Sequence, residues 1–215
     1  PEYATQLSPA MEQHNAGSPN ARRRLAHRLS WFLPAFLLLV VSTGLAPVTA
    51  QADPFPVTVE HKFGVTVIPQ APSRVVTIGY SEQDPVLALG VKPVAVREWF
   101  GNQPHAVWPW GQQALGDAQP QVLAMPFGEL DYEAIAVLRP DLIIATHSGI
   151  QEAEYQRLSR IAPTVAQPAT YPDFGVPWQE QTRIIGRALG REAQAEALIA
   201  QVEAQIAQAR ATHPE

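Results

Sequence analysis

Three of the five tryptophans fall in one stretch, REWFGNQPHAVWPWGQQALGD, which runs from Arg97 to Asp117. Trp99, Phe100, Trp108 and Trp110 stand there among glycines and prolines, in a segment too irregular for a simple core element. Such a segment can offer flat apolar faces to a ligand, or it can fold its rings beneath itself as a satellite core. Trp99 and Phe100 favour the first description, and both stay open for Trp108 and Trp110. Tyr80, His147 and Tyr171 follow other apolar runs and add a hydroxyl, an imidazole and a second hydroxyl. The chemistry on offer is stacking and hydrogen bonding.

Bond-making chemistry finds no support. His61, His105, His147 and His213 form no i, i+4 pair and share no short loop, which argues against a zinc or iron site built from protein ligands. His147 alone can hydrogen-bond a ligand or serve a structural end equally well. GYSEQD, after the first β-branched run, lacks the spacing and the lysine of a phosphate-binding loop. Ser148 in THSGI lacks the first glycine of a nucleophile elbow and has no evident acid–base partner. The expectation is a protein that is not an enzyme and that carries no metal and no cofactor.

Residues of this kind need a scaffold that gathers loops from distant parts of the chain. FPVTVEHKFGVTVIP (Phe55 to Pro69) alternates with period two about a Lys-Phe-Gly turn and predicts an antiparallel hairpin at an edge. RVVTIG then ends in glycine, Ser81 is a plausible N-cap, and EQDPVLALG predicts a helix closed by Gly90. The same unit recurs as KPVAVR, as DYEAIAVLRP into DLIIAT, and as EAEYQRLSRIAP into TVAQP. Strands alternating with helices predict an α/β fold, a parallel sheet flanked by helices. DLIIAT is a continuous apolar run, as a strand buried on both faces requires, and Pro140 ends the helix before it. Open sheets of this class bind ligands beyond the carboxyl ends of their strands, where Tyr80, Trp99, Phe100, His147 and Tyr171 fall. Near the end, Gly190 divides two helices, and in the second Ala195, Leu198, Ile199, Val202 and Ile206 form an apolar stripe.

The N-terminus reads differently. RRRLAHRL precedes the apolar WFLPAFLLLVV and then APVTAQAD, the order of a basic region, a short greasy region and a small-residue cleavage site. The apolar core is shorter than the roughly 20 residues of a spanning helix. Residues 22–52 are therefore expected to be a signal peptide cleaved after Ala52, with an uncleaved anchor as the alternative. Residues 1–21 read as an unstructured leader, an over-extended start with Met11 the better initiator. Losing four arginines and two glutamates with residues 1–52 takes the 15 Lys+Arg and 20 Asp+Glu to 11 and 18. That negative balance speaks against a nucleic-acid partner. There is no cysteine, hence no disulfide and no lipid-bearing residue after the signal, so a free periplasmic or secreted protein is expected.

At three places the sequence resembles the substrate-binding proteins of iron-siderophore importers, the class shared with cobalamin and heme binders. The blocks are SRVVTIGYSEQDPVLALGVKPVAV (Ser73 to Val96), DYEAIAVLRPDLIIA and YQRLSRIAPTVA, in that order. The resemblance runs from about Phe55 to the end. It implies two α/β lobes joined by a long helix, a ligand held between them and an ATP-driven permease as docking partner. Residues 53–190 would be the N-terminal lobe and 191–215 the connecting helix, with the chain stopping where the second lobe begins. Glu133 falls at the position of the family's permease-docking glutamate, although a first-turn carboxylate is also favoured by the helix dipole. The ligand would be a ferric siderophore that itself holds the iron, captured by a monomer. Arg97 would supply a cation to it, and Tyr80, Trp99, Phe100, Trp108, Trp110, His147 and Tyr171 the contacts. Heme or cobalamin binding on the same scaffold, or an exported enzyme or signalling lobe, are the alternatives.

Overall fold

The computed structural model describes residues 54–213. The leader and signal segments expected over residues 1–52 lie outside them. The described chain opens with an antiparallel hairpin, β1 (Val57–His61) and β2 (Gly64–Ile68). A five-stranded sheet follows, made of β3 (Val75–Thr77), β4 (Ala95–Arg97), β5 (Gln121–Leu123), β6 (Leu142–Ala145) and β7 (Thr164–Ala166). All its pairings are parallel and its order is β5-β4-β3-β6-β7. The helices are α1 (Gln83–Ala88), α2 (Pro109–Leu115), α3 (Tyr132–Val137), α4 (Glu152–Leu158), α5 (Trp178–Ala188) and α6 (Glu192–Thr212).

Period-two geometry explains why β6 had to be apolar throughout. Leu142 and Ile144 enter one core with Val75, Val86 of α1 and Ile185 of α5. Ile143 and Ala145 point the other way, into a core with Ile135 of α3 and Leu158 of α4. All four β6 residues are buried, and each fully covered isoleucine or leucine contributes about 2–3 kcal/mol. The hairpin lies against β7: the Lys62 N–H donates to the Gln167 carbonyl at 2.9 Å, and the Thr66 hydroxyl to the Thr164 carbonyl at 2.6 Å. An edge that would otherwise present unpaired backbone groups is thereby covered.

The expected hairpin, the parallel sheet with helices on both faces and the division of the last helices near Gly190 are all present. Three details differ. The stretch from Arg97 to Asp117 is not one loop, because Pro109 sits at the start of α2 and Gly116 follows its end. A fifth strand, β5, pairs with β4 although only Leu123 of its three residues is buried. Ser81 does not cap α1: Glu82 occupies the N-cap position, without a side-chain cap bond, and the Ser81 hydroxyl instead accepts from Gln181 Nε2 of α5 at 3.1 Å.

The stripe on α6 is partnered over its first turns only. Ala195 is buried in the core with Ile184, Ile185 and Ala188 of α5, Ile199 is buried too, Leu198 and Val202 are half-buried, and Ile206 is exposed. No described helix is long and apolar enough to cross a membrane.

Candidate ligand-binding site

From β3 the chain moves outward through β4 to β5, then returns to the other side of β3 to lay down β6 and β7. The connections after β3 and β6 thus diverge, and a crevice opens between them at the carboxyl ends of the strands. β3 delivers Tyr80 to this point, β4 delivers Arg97, Trp99 and Phe100, and β6 delivers His147.

The aromatic side chains of these loops touch one another in a continuous array. Trp110 stacks on Trp108 with centroids 5.1 Å apart, Trp108 meets Phe100 at 4.9 Å, and Phe100 meets Trp99 at 4.5 Å. Trp99 lies 6.1 Å from Tyr80, and Tyr80 lies 6.2 Å from Phe174. Phe174 also meets Phe127 at 6.1 Å and the His147 ring at 5.3 Å. Much of this apolar surface is open: Trp99, Phe100, Trp110 and Phe127 are 57%, 52%, 68% and 72% exposed. Rings that fold under themselves as a satellite core would be covered, and only half-buried Trp108 approaches that description. A contiguous exposed apolar patch of this kind marks an interaction surface.

Phe127 and Phe174 are additions that the sequence does not announce. Phe127 lies between β5 and α3, beyond a short edge strand, and Phe174 follows β7 by several residues. Phe174 reaches the array because Gly149 makes room, for a Cβ there would stand 2.6 Å from the phenylalanine ring. Tyr171 lies on the same connection but makes no ring contact with the array; its carbonyl accepts from Gln167 Nε2 at 3.1 Å.

Arg97 is more deeply placed than a free cation would be, at 2% exposure. Its guanidinium lies 4.8 Å from the Tyr80 ring centre and donates to the carbonyls of Ile78, Met125 and Pro126. It thereby fixes the Tyr80 ring and ties the β5–α3 connection to β3. Burial lowers its pKa, while Tyr80 and Glu82 oppose that shift, and it stays charged at any physiological pH. It also lines a cavity of about 300 Å³ with Phe127, Ser148, Gly149, Gln151 and Glu154. Its charge thus lies beneath the array and beside an open space.

Beneath the rings the two turns at the crevice are joined. The Tyr80 N–H donates to the His147 carbonyl at 3.3 Å, and the His147 N–H donates to Glu82 Oε1 at 2.7 Å. His147 Nδ1 is buried without a partner, and burial lowers the imidazole pKa, which favours the neutral ring. At the far end of the array the Trp110 indole donates to Asp84 Oδ2 at 2.9 Å. Glu133 stands apart, exposed in the first turn of α3, where Asp131 caps the helix by accepting the Ala134 N–H at 2.8 Å. It shares a shallow groove with Tyr132, Ala136, Arg157, Arg160 and Ile161, none of them a member of the array. Among the described residues no group of three or more His, Cys, Asp and Glu side chains is arranged to hold a metal ion.

Such a site can stack a large, partly apolar ligand and place one buried cation near it. Known proteins resemble this chain in sequence and fold. A probable siderophore-binding lipoprotein of Bacillus subtilis, YfiY, is 31% identical over 69% of this chain and 43% of its own length. The crystal structure of a periplasmic solute-binding protein from Mycobacterium smegmatis is 47% identical, with a TM-score of 0.70 over 74% of this chain and 55% of that one. PiaA of Streptococcus pneumoniae, solved in complex with ferrichrome, is 31% identical, with a TM-score of 0.67 over 74% of this chain and 52% of its own. The chain spans about half the length of the proteins it matches. The profile of the periplasmic binding protein family matches residues 75–215, from the first strand of the sheet to the end, and the chain belongs to that family.

Proposed function

We infer that this chain forms the first lobe of an extracytoplasmic binding protein that captures a ferric siderophore and delivers it to an ABC-type permease. The observation that carries the reading is the open ring array from Trp110 to Phe127 at the switch point of the sheet. A ferric chelate is bulky, partly apolar and often anionic. Trp99, Phe100, Trp108, Trp110, Phe127 and Phe174 offer it stacking surface, while Tyr80 and His147 offer polar atoms at the floor. Arg97 contributes charge from below, its direct hydrogen bonds being largely committed to carbonyls. The siderophore holds the iron and the protein holds the siderophore, so no reaction is catalysed. YfiY and PiaA, whose names or bound ligand point to siderophores, support this reading. The protein acts as a monomer in the periplasm, after removal of its signal segment.

Tryptophan emission tests it. Titration of the protein, in its full encoded length, with a ferric hydroxamate, a ferric catecholate and ferric citrate is expected to quench emission at about 1 µM or below for one of the three. Trp99→Ala is expected to weaken that binding about tenfold, the usual weight of an exposed aromatic anchor at the centre of a contact. Absence of quenching by all three probes would overturn the siderophore reading, and a Soret band on adding heme would replace it.

Glu133 supplies a separable expectation. Its carboxylate is exposed and outside the array, so Glu133→Ala should leave ligand affinity unchanged while lowering permease binding or cellular uptake severalfold. If ligand affinity falls instead, the residue belongs to the cleft and not to a docking face.

A further inference from the structure

At the centre of the floor lies a charge for which ligand contact gives no role. Glu82 is fully buried, and among the described residues no ion pair reaches it. Its Oε1 accepts the His147 N–H at 2.7 Å and its Oε2 accepts the Ser81 N–H at 3.3 Å. The carboxylate fills the space over Gly79, where a Cβ would stand 2.0 Å from Oε1. A buried carboxylate without a cation in contact is costly, and only hydrogen bonds can stand in for the water it has lost. Here those bonds join the two turns that flank the crevice, since Ser81 follows Tyr80 at the end of β3 and His147 follows β6.

We propose that Glu82 is the positioning residue of the cleft floor, a proton-sensitive brace that holds Tyr80 and His147 in place across the switch point. The purpose of the brace rests on the binding function inferred above, whereas its existence does not. Ionised, the carboxylate accepts both N–H groups through charge-assisted bonds. Protonated, one oxygen becomes a donor facing donors, so one bond is lost and the turns loosen. The ionisable neighbours are Tyr80 from β3, Arg97 from β4, His147 from β6 and, on its own helix, Asp84, whose carboxylate is engaged by Trp110. From α5 uncharged Gln181 approaches through Ser81, and Glu154 of α4 acts at a distance through Arg97. Burial outweighs the N–H donors and the Arg97 charge and pushes the Glu82 pKa up to about 7. The brace therefore changes state close to neutral pH.

The test uses ligand-free protein. Carboxyl carbons of ¹³C-labelled glutamate are followed by NMR from about pH 4 to 9, together with the backbone amides of Ser81 and His147. The expected result is one carboxyl that binds its proton about two orders of magnitude more tightly than an ordinary glutamate, with both amides moving at the same midpoint. Glu82→Gln should abolish that carboxyl signal and flatten both amide titrations. His147→Asn should leave the carboxyl transition in place, which separates it from the imidazole. If Glu82→Gln does not fold, the wild-type carboxyl and amide curves still decide the matter. A Glu82 carboxyl that titrates with the other glutamates, or amides that do not follow it, overturns the proposal. No ligand enters the experiment, so a failed siderophore titration leaves this result standing, and the reverse is equally true.

Discussion

Between pH 4.5 and about 7 the wild-type protein is expected to lose roughly 3 kcal/mol of stability relative to the Glu82→Gln variant. The sign follows from proton binding. The folded carboxyl is held near 7 by burial, against 4.5 for an unburied one, so in this window the folded state binds more protons than the unfolded state. Stability then falls as pH rises, and the contribution is level below the lower value and above the upper one. His61 and His147 act in the opposite sense, because burial lowers their pKa values and the neutral folded ring is favoured as pH rises through 6.5. Asp84, raised by burial, acts in the same sense as Glu82. All three are present in both proteins and cancel in the difference. Glutamine also gives up one acceptor toward Ser81 or His147, a pH-independent offset of about 1 kcal/mol. Urea midpoints of the two proteins at pH 4.5, 6 and 8 measure the slope, and parallel curves would remove Glu82 from the account.

Glu82 also shows where sequence reading stops. In the sequence it stands beside Gln83 and Asp84 at the start of a helix, as Glu133 does beside Tyr132 and Ala134. Nothing in the pattern around Glu82 marks it as different from Glu133. Glu133 is indeed exposed, but Glu82 lies where the connections after β3 and β6 separate, and only the strand order puts it under cover. The strands themselves are legible because β3 and β6 are buried on both faces and had to be apolar at nearly every position. β5 is not, since an edge strand with one buried residue of three leaves no pattern. The ring array is half legible. Trp99, Phe100, Trp108 and Trp110 announce themselves by density, whereas Phe127 and Phe174 join from other connections, Phe127 just after the edge strand and Phe174 between Tyr171 and Trp178. Arg97 reads as a cation for the ligand, and the structure commits most of its donors to carbonyls at the turn ends. A strand-terminal arginine looks the same in sequence whether its fork faces a ligand or the backbone.

Gly79→Ala is expected to destabilise the protein by about 3 kcal/mol, and by less than about 1 kcal/mol when Glu82→Ala is already in place. Gly79 does not adopt the left-handed backbone that penalises a side chain, so strain at the residue itself is not the source of the cost. The obstacle is one neighbour: an added Cβ would lie 2.0, 2.3 and 2.4 Å from Oε1, Oε2 and Cδ of Glu82. A flexible carboxylate on the surface would swing aside at little cost. This one is enclosed, and moving it strips the acceptor from the His147 and Ser81 N–H groups while leaving a buried charge without its bonds. The cost should be larger at pH 8 than at pH 5, because a neutral carboxyl is easier to displace. Glu82→Ala alone removes the acceptors and opens a void. In the double variant the methyl that Gly79→Ala introduces fills part of that void, which is why the two changes should couple by about 2 kcal/mol. Chemical denaturation of the four proteins measures the cycle. Equal costs for Gly79→Ala in both backgrounds would mean that the glycine answers to some other constraint and that the brace does not set its identity. If the coupling is found, a glycine at the end of the first sheet strand and a glutamate three residues later become one requirement, and that spacing can be read from sequence alone.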